Sequence, residues 1–77
     1  MKSLLEFLLL RIVEHPENLT IDEGEENGYL VYWLHLHEED IGRVIGKNGK
    51  VIKALRKIAQ VRAVIDNKHV RILLAEE

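Results

Sequence analysis

Seventy-seven residues with a 47% hydrophobic share allow one globular domain with one modest core, and disorder is not expected. The chain has no cysteine, which excludes disulfides, thiol nucleophiles and Cys-ligated zinc. Its formal charge of −2 hides an asymmetry: residues 41–62 carry Arg43, Lys47, Lys50, Lys53, Arg56, Lys57 and Arg62, while all 13 Asp and Glu lie outside that span. A near-neutral chain that gathers its cations in one stretch points to a polyanionic partner.

Leu4, Leu5, Leu8, Leu9, Ile12 and Val13 recur at three- and four-residue spacing and predict an amphipathic helix. Ser3 is the expected N-cap, Glu6 completes a capping box, and His15-Pro16 is the expected stop. Glu6 and Arg11 interrupt the apolar run, which is too short to cross a bilayer and lacks a small-residue cleavage site. Neither signal peptide nor membrane anchor is expected. Leu19-Thr20-Ile21-Asp22 reads as a short strand, and the Asn27-Gly28 pair in the polar stretch after it signals a hairpin turn. Residues 29–37 form the most strand-like segment. Leu30, Tyr32, Leu34 and Leu36 fall on its expected core face, with Tyr29, Val31, Trp33, His35 and His37 on the other.

Glu38, Glu39 and Asp40 put acids at the start of a short helix, residues 39–45, where the dipole favours them. Gly46 is expected to end it in a left-handed conformation. A longer helix, residues 50–62, turns Val51, Ile52, Leu55, Ile58 and Ala59 inward and Lys50, Lys53 and Lys57 outward. Asp66-Asn67 makes a turn, and residues 69–74 form a closing strand with Val70, Ile72 and Leu74 on one face. The order is α-β-β-α-α-β, without repeats, low-complexity tracts or linkers.

Two helices joined by Gly46-Lys47-Asn48-Gly49 must turn sharply, and a glycine at each end supplies backbone angles that side chains forbid. Without Cβ atoms there, a sugar-phosphate chain can approach the main chain. The loop also opens onto a helix N-terminus, whose unpaired amides and dipole favour anions. Lys47 adds a cation at the tip and Asn48 a neutral donor. Arg43 and Lys50 flank them, and Lys53 continues the basic face. Such contacts hold a backbone without reading its bases. Ile41, Val44 and Ile45 are the candidate groove wall for the bases.

Val44-Ile45-Gly46-Lys47-Asn48-Gly49-Lys50-Val51-Ile52 resembles the KH-domain signature V-I-G-x-x-G-x-x-I, with every fixed position filled. The element order resembles the type II KH arrangement. The HPE segment at residues 15–17 and EDIGRVIGKNGK at 39–50 are similar to small stand-alone bacterial KH proteins of the KhpA family. The resemblance implies an α+β fold, with residues 1–77 as a single KH domain and a three-stranded sheet carrying its helices on one face. It also implies a cytoplasmic RNA-binding protein, acting as an RNA chaperone, whose GXXG loop grips about four nucleotides of single-stranded RNA without a cofactor. Self-association is implied too, as is pairing with a larger KH protein of the KhpB (Jag) type. The RNA-contacting set is then Ile41, Arg43, Val44, Ile45, Gly46, Lys47, Asn48, Gly49, Lys50 and Lys53. Phosphate contacts serve single-stranded DNA equally well, so the sequence leaves both nucleic acids open.

Plainer readings compete. The glycine loop could be a simple helix-turn-helix connection, but it coincides with the basic cluster and with flanking apolar pairs. Lys53, Arg56 and Lys57 could be an ordinary solvated face. His35 and His37 have a spacing that could chelate a metal, yet no third ligand is evident and no metal site is expected. His15 and His69 read as surface residues. Trp33, with Val31 and Leu73, is either a partner patch or a partly covered aromatic, the second being the expectation. No hydroxyl is matched with a base, so catalysis is not expected. Ala54, Ile58 and Val61 extend the long helix's apolar side beyond one core stripe. They support the alternative that the chain is mainly an interaction module, a homodimer or the partner of a larger KH protein.

Overall fold

The computed structural model describes residues 1–75. Its elements are α1 (Lys2–Leu9), β1 (Thr20–Glu26), β2 (Tyr29–His35), α2 (Glu38–Ile45), α3 (Lys50–Ile65) and β3 (His69–Leu74). The sheet order is β1-β2-β3, with β1 antiparallel and β3 parallel to β2. Asn27 and Gly28, both at positive φ, close the hairpin. Parallel neighbours cannot be joined so tightly, and α2 and α3 together make the crossover. One face of the sheet, carrying Ile21, Tyr32, Leu34 and Ile72, packs on Leu5, Leu9, Val44, Ile52, Leu55 and Ala59 from the three helices. The α+β type II KH layout is therefore present.

Several local expectations are corrected by packing. Ser3 lies inside α1, whose N-cap is Met1 with no side-chain bond, so the capping box does not form. The Leu5 amide donates to the Met1 carbonyl at 3.1 Å, and the buried pair Leu5 and Leu9 sets where the helix sits. α1 ends at Leu9, ahead of the proline, and residues 10–12 continue as a turn. β1 runs on to Glu26 although Gly and Glu are poor strand formers, because each residue from Thr20 to Glu26 pairs with β2. β2 stops at His35, since His37 caps α2 by accepting the Glu39 N–H at Nδ1, 3.1 Å.

On the outer face of the sheet Trp33 covers Gly24, where an added Cβ would meet the indole at 3.0 Å. Trp33 is thus a partly covered aromatic that fills the gap left by a strand glycine. Val31 beside it is only 1% exposed. Its strand neighbour Arg71 lays its guanidinium 4.3 Å over the Tyr29 ring. On the core face the Tyr32 hydroxyl donates to Glu23 at 3.0 Å; burial, reinforced by that carboxylate, pushes its pKa up to about 12.

α3 continues past the expected end to Ile65 and buries Ile52, Leu55, Ala59 and Ala63. Ile58, expected inside, is 43% exposed. A helix that presents residue 59 to the core turns residue 58 about 100° away from it.

Candidate nucleic-acid interface

α2 and α3 meet at Gly46-Lys47-Asn48-Gly49. Gly46 has the expected positive φ of 76° but a ψ of 173°, an extended region open almost only to glycine rather than the left-handed helical one. A Cβ there would stand 2.8 Å from Val51 Cβ and 2.9 Å from Val51 N. The protein itself occupies the space that glycine frees, packing the end of α2 against the first turn of α3. Gly49 is different. It is left-handed at φ 72° and ψ 17°, and a Cβ would touch only the Lys53 side chain at 3.8 Å. Bare main chain is presented outward there. Asn48 is also left-handed, φ 57° and ψ 26°, a conformation asparagine tolerates better than most residues. Bonds from Gly46 N to Gly42 O, 2.8 Å, and from Gly49 N to Gly46 O, 3.1 Å, pin the turn.

Lys47, Lys50 and Lys53 are exposed around this loop. Among the described residues none of them enters an ion pair. Arg43 is engaged elsewhere: its guanidinium lies 2.9 Å from Glu14 and 3.6 Å from Asp40, and donates to the Glu39 carbonyl at 3.0 Å. Val44 has no exposed surface and packs within the core, so it supports a groove from beneath instead of lining it. Ile45 is half-buried at the margin of the core. Ile41 lines a broad cleft of about 930 Å³ at the opposite end of α2, with Leu36, His37, Glu38 and Glu39. The fold thus gathers Ile45, Gly46, Lys47, Asn48, Gly49, Lys50 and Lys53 around the loop, with Arg43 ion-paired, Val44 buried beneath and Ile41 at a separate cleft.

Two residues outside that set hold the site together. Arg56 reaches from α3 to the Ile72 carbonyl, with Nε and Nη2 at 3.4 and 3.2 Å. Since β3 pairs with β2 on one side only, this carbonyl belongs to the free edge of the sheet. A shallow groove of about 430 Å³ runs between α3 and this edge, lined by Arg56, Lys57, Gln60, Val70 and Ile72 among others. Its signal in sequence was a basic residue one turn beyond Lys53, but the contact with β3 depends on tertiary packing. Asp40 is completely buried, and its two oxygens accept the Glu14 and His15 amides, each at 2.9 Å. Burial alone would raise its pKa. The two amides, aided by His15 and Arg43, outweigh that and hold it below the ordinary carboxylate value. Asp40 therefore ties the connector between α1 and β1 to the helix that carries the loop.

A family model described as KhpA/KhpB, KH domain, matches residues 2–74. The chain belongs to the KhpA/KhpB KH-domain family. A relative from Thermotoga maritima is 46% identical over 72 residues, covering 94% of this chain and 95% of its own. Others from Oceanobacillus iheyensis and Listeria monocytogenes are 39% and 34% identical, over 91% and 99% of this chain and 93% and 100% of theirs. All three are described as RNA-binding protein KhpA. Such a description belongs to a binding family, not an enzyme family, in agreement with the reading of the sequence. Among the described residues no helix is long and apolar enough to cross a membrane.

Proposed function

We propose that this chain, as one KH domain, binds single-stranded RNA by clamping about four nucleotides at the GKNG loop. One observation carries the reading: three lysines, without an ion pair among the described residues, surround main chain left bare at Gly49, at the N-terminus of a sixteen-residue helix. Lys47, Lys50 and Lys53 hold phosphates, Asn48 donates from the tip, and Ile45 with the α3–β3 groove receives bases. Arg43, Ile41 and Val44 support the helix behind the loop. The description of the relatives as RNA-binding proteins supports RNA as the polyanion. A single small site implies affinity on the order of micromolar, falling with salt. A cytoplasmic RNA chaperone is the cellular role this reading suits.

Fluorescence anisotropy with a short single-stranded RNA at two salt concentrations tests it, comparing wild type with Lys47→Asp/Asn48→Asp. Asparagine and aspartate both tolerate positive φ, so the variant keeps its fold, which circular dichroism verifies. Affinity should drop at least about ten-fold in the variant and weaken with salt in the wild type. Equal binding by both proteins would reject the loop as the clamp. Single-stranded DNA of the same sequence, run alongside, decides between the two nucleic acids.

A second reading rests on a separate observation. Ala54, Ile58, Val61 and Ile65 follow one another at spacings of four, three and four along α3, and Ile58, Val61 and Ile65 are 43%, 65% and 71% exposed. That is the spacing of a helical packing seam left without a partner. We propose that it pairs with a second copy, or with a larger KH protein of the KhpB type, and so links two RNA sites to raise their joint affinity. Sedimentation over a concentration series should show a dimer that Val61→Glu converts to a folded monomer. A wild type that stays monomeric at high micromolar concentration removes self-pairing.

A further inference from the structure

We infer that His15, His37 and Glu39 form a binding site for a divalent transition-metal ion of the zinc type, clipping the α1–β1 connector to the first turn of α2. The inference does not rest on the RNA reading, since the cluster sits at the end of α2 away from the loop. The two histidines considered as a chelating pair in sequence part company in the fold: His35 pairs with Asp22 at 2.7 Å, while His37 stacks on His15 with ring centroids 4.0 Å apart. One donor atom from each of His15, His37 and Glu39 lies within 4.8 Å of the others, and His15 Nε2 is 3.6 Å from Glu39 Oε2.

Donors around a tetrahedral zinc ion, bonded at about 2.1 Å, stand about 3.4 Å apart, so the three reach bonding distance once His15 and His37 rotate out of their stack to aim their lone pairs at one centre. Two imidazoles and a carboxylate suit zinc and its neighbours, whereas magnesium and calcium take oxygen ligands. The backbone under the cluster is already fixed. His15 N donates to Asp40, and His37 is the N-cap of α2. Glu17 lies 3.5 Å from His15 Nδ1, placed to accept that nitrogen's proton in a hydrogen bond while Nε2 ligates. His37 now directs its Nδ1 lone pair at the Glu39 amide. Ligation exchanges that bond for a metal bond and leaves an exposed amide to water. Glu17 and Glu39 both lie within 3.6 Å of the His15 ring, negative charge that favours a cation. Three protein ligands leave a fourth position for water.

Tag-free protein stripped with chelator and titrated with zinc chloride in a calorimeter tests the site. His37→Asn removes a ligand yet keeps an N-cap acceptor, and His15→Gln leaves the His15 amide on Asp40. Glu39→Gln, on an exposed turn, is the third variant, and His35→Gln is the control. Wild type and His35→Gln should bind one zinc per chain. A hundred-fold excess over Kd should raise their Tm by about 15 °C. His15→Gln, His37→Asn and Glu39→Gln, each verified as folded, should bind at least about ten-fold more weakly. No binding by wild type up to millimolar zinc overturns the site. Equal affinity in all five proteins, or a loss in His35→Gln as large as in His37→Asn, overturns it as well.

Discussion

The two ends of α2 carry similar numbers of charged side chains and use them in opposite ways. At the N-terminal end Asp40 is buried beneath two backbone amides, and Arg43 reaches back to pair with Glu14 and Asp40. At the C-terminal end Lys47, Lys50 and Lys53 project into solvent without a partner among the described residues. Charges satisfied within the fold stiffen it, and charges left unsatisfied on the surface remain available to a ligand. Arg43 shows that proximity in sequence to the glycine loop does not decide between those roles. Which carboxylates lie within reach does.

The largest effect should come from Asp40→Ala, which strands the Glu14 and His15 amides and leaves Arg43 with Glu14 and the Glu39 carbonyl. We expect Tm to fall by about 15 °C in a circular-dichroism melt, with Asp40→Asn intermediate. A change of only a few degrees would dissolve the contrast, making the two ends of α2 equally superficial. Next comes a test inside the loop, where the contrast should break at one position only. Gly46→Ala meets both a forbidden backbone region and Val51, and should cost about 2 kcal/mol. Gly49→Ala meets open space and a left-handed conformation, and should cost about 1 kcal/mol, read from urea melts.

Acid sharpens the comparison further. Because the folded-state pKa of Asp40 is lowered, its contribution to stability is complete above the ordinary carboxylate value of about 4 and is lost as pH falls through and below it. Wild type should therefore lose more stability than Asp40→Asn between about pH 6 and pH 3. Matching slopes would remove Asp40 from the acid response. The smallest effect belongs to Lys53→Gln, a single exposed charge. It should weaken RNA binding about two- to three-fold and lower the salt slope by about one, without moving Tm.

Much of this was written locally. The three- and four-residue apolar spacing marked the helices, alternation marked β2, Asn27-Gly28 marked the hairpin, and the glycine pair set among lysines marked the candidate interface. These signals are legible because helix and strand periods, turn angles and charge act over a few residues. They also misled in one place: Ser3 looked like a cap and lies inside α1.

What only the tertiary structure decided depended on partners distant in sequence. Pairing with β2 made a strand of a Glu- and Gly-rich stretch, and the position of the sheet under α3 chose which of its apolar residues face water. A connector more than twenty residues away turned Asp40 from a helix-start acid into a buried anchor. The same connector placed His15 against His37. Element order and chemistry followed from neighbours along the chain; register, burial and charge pairing followed from neighbours across space, which no local pattern encodes.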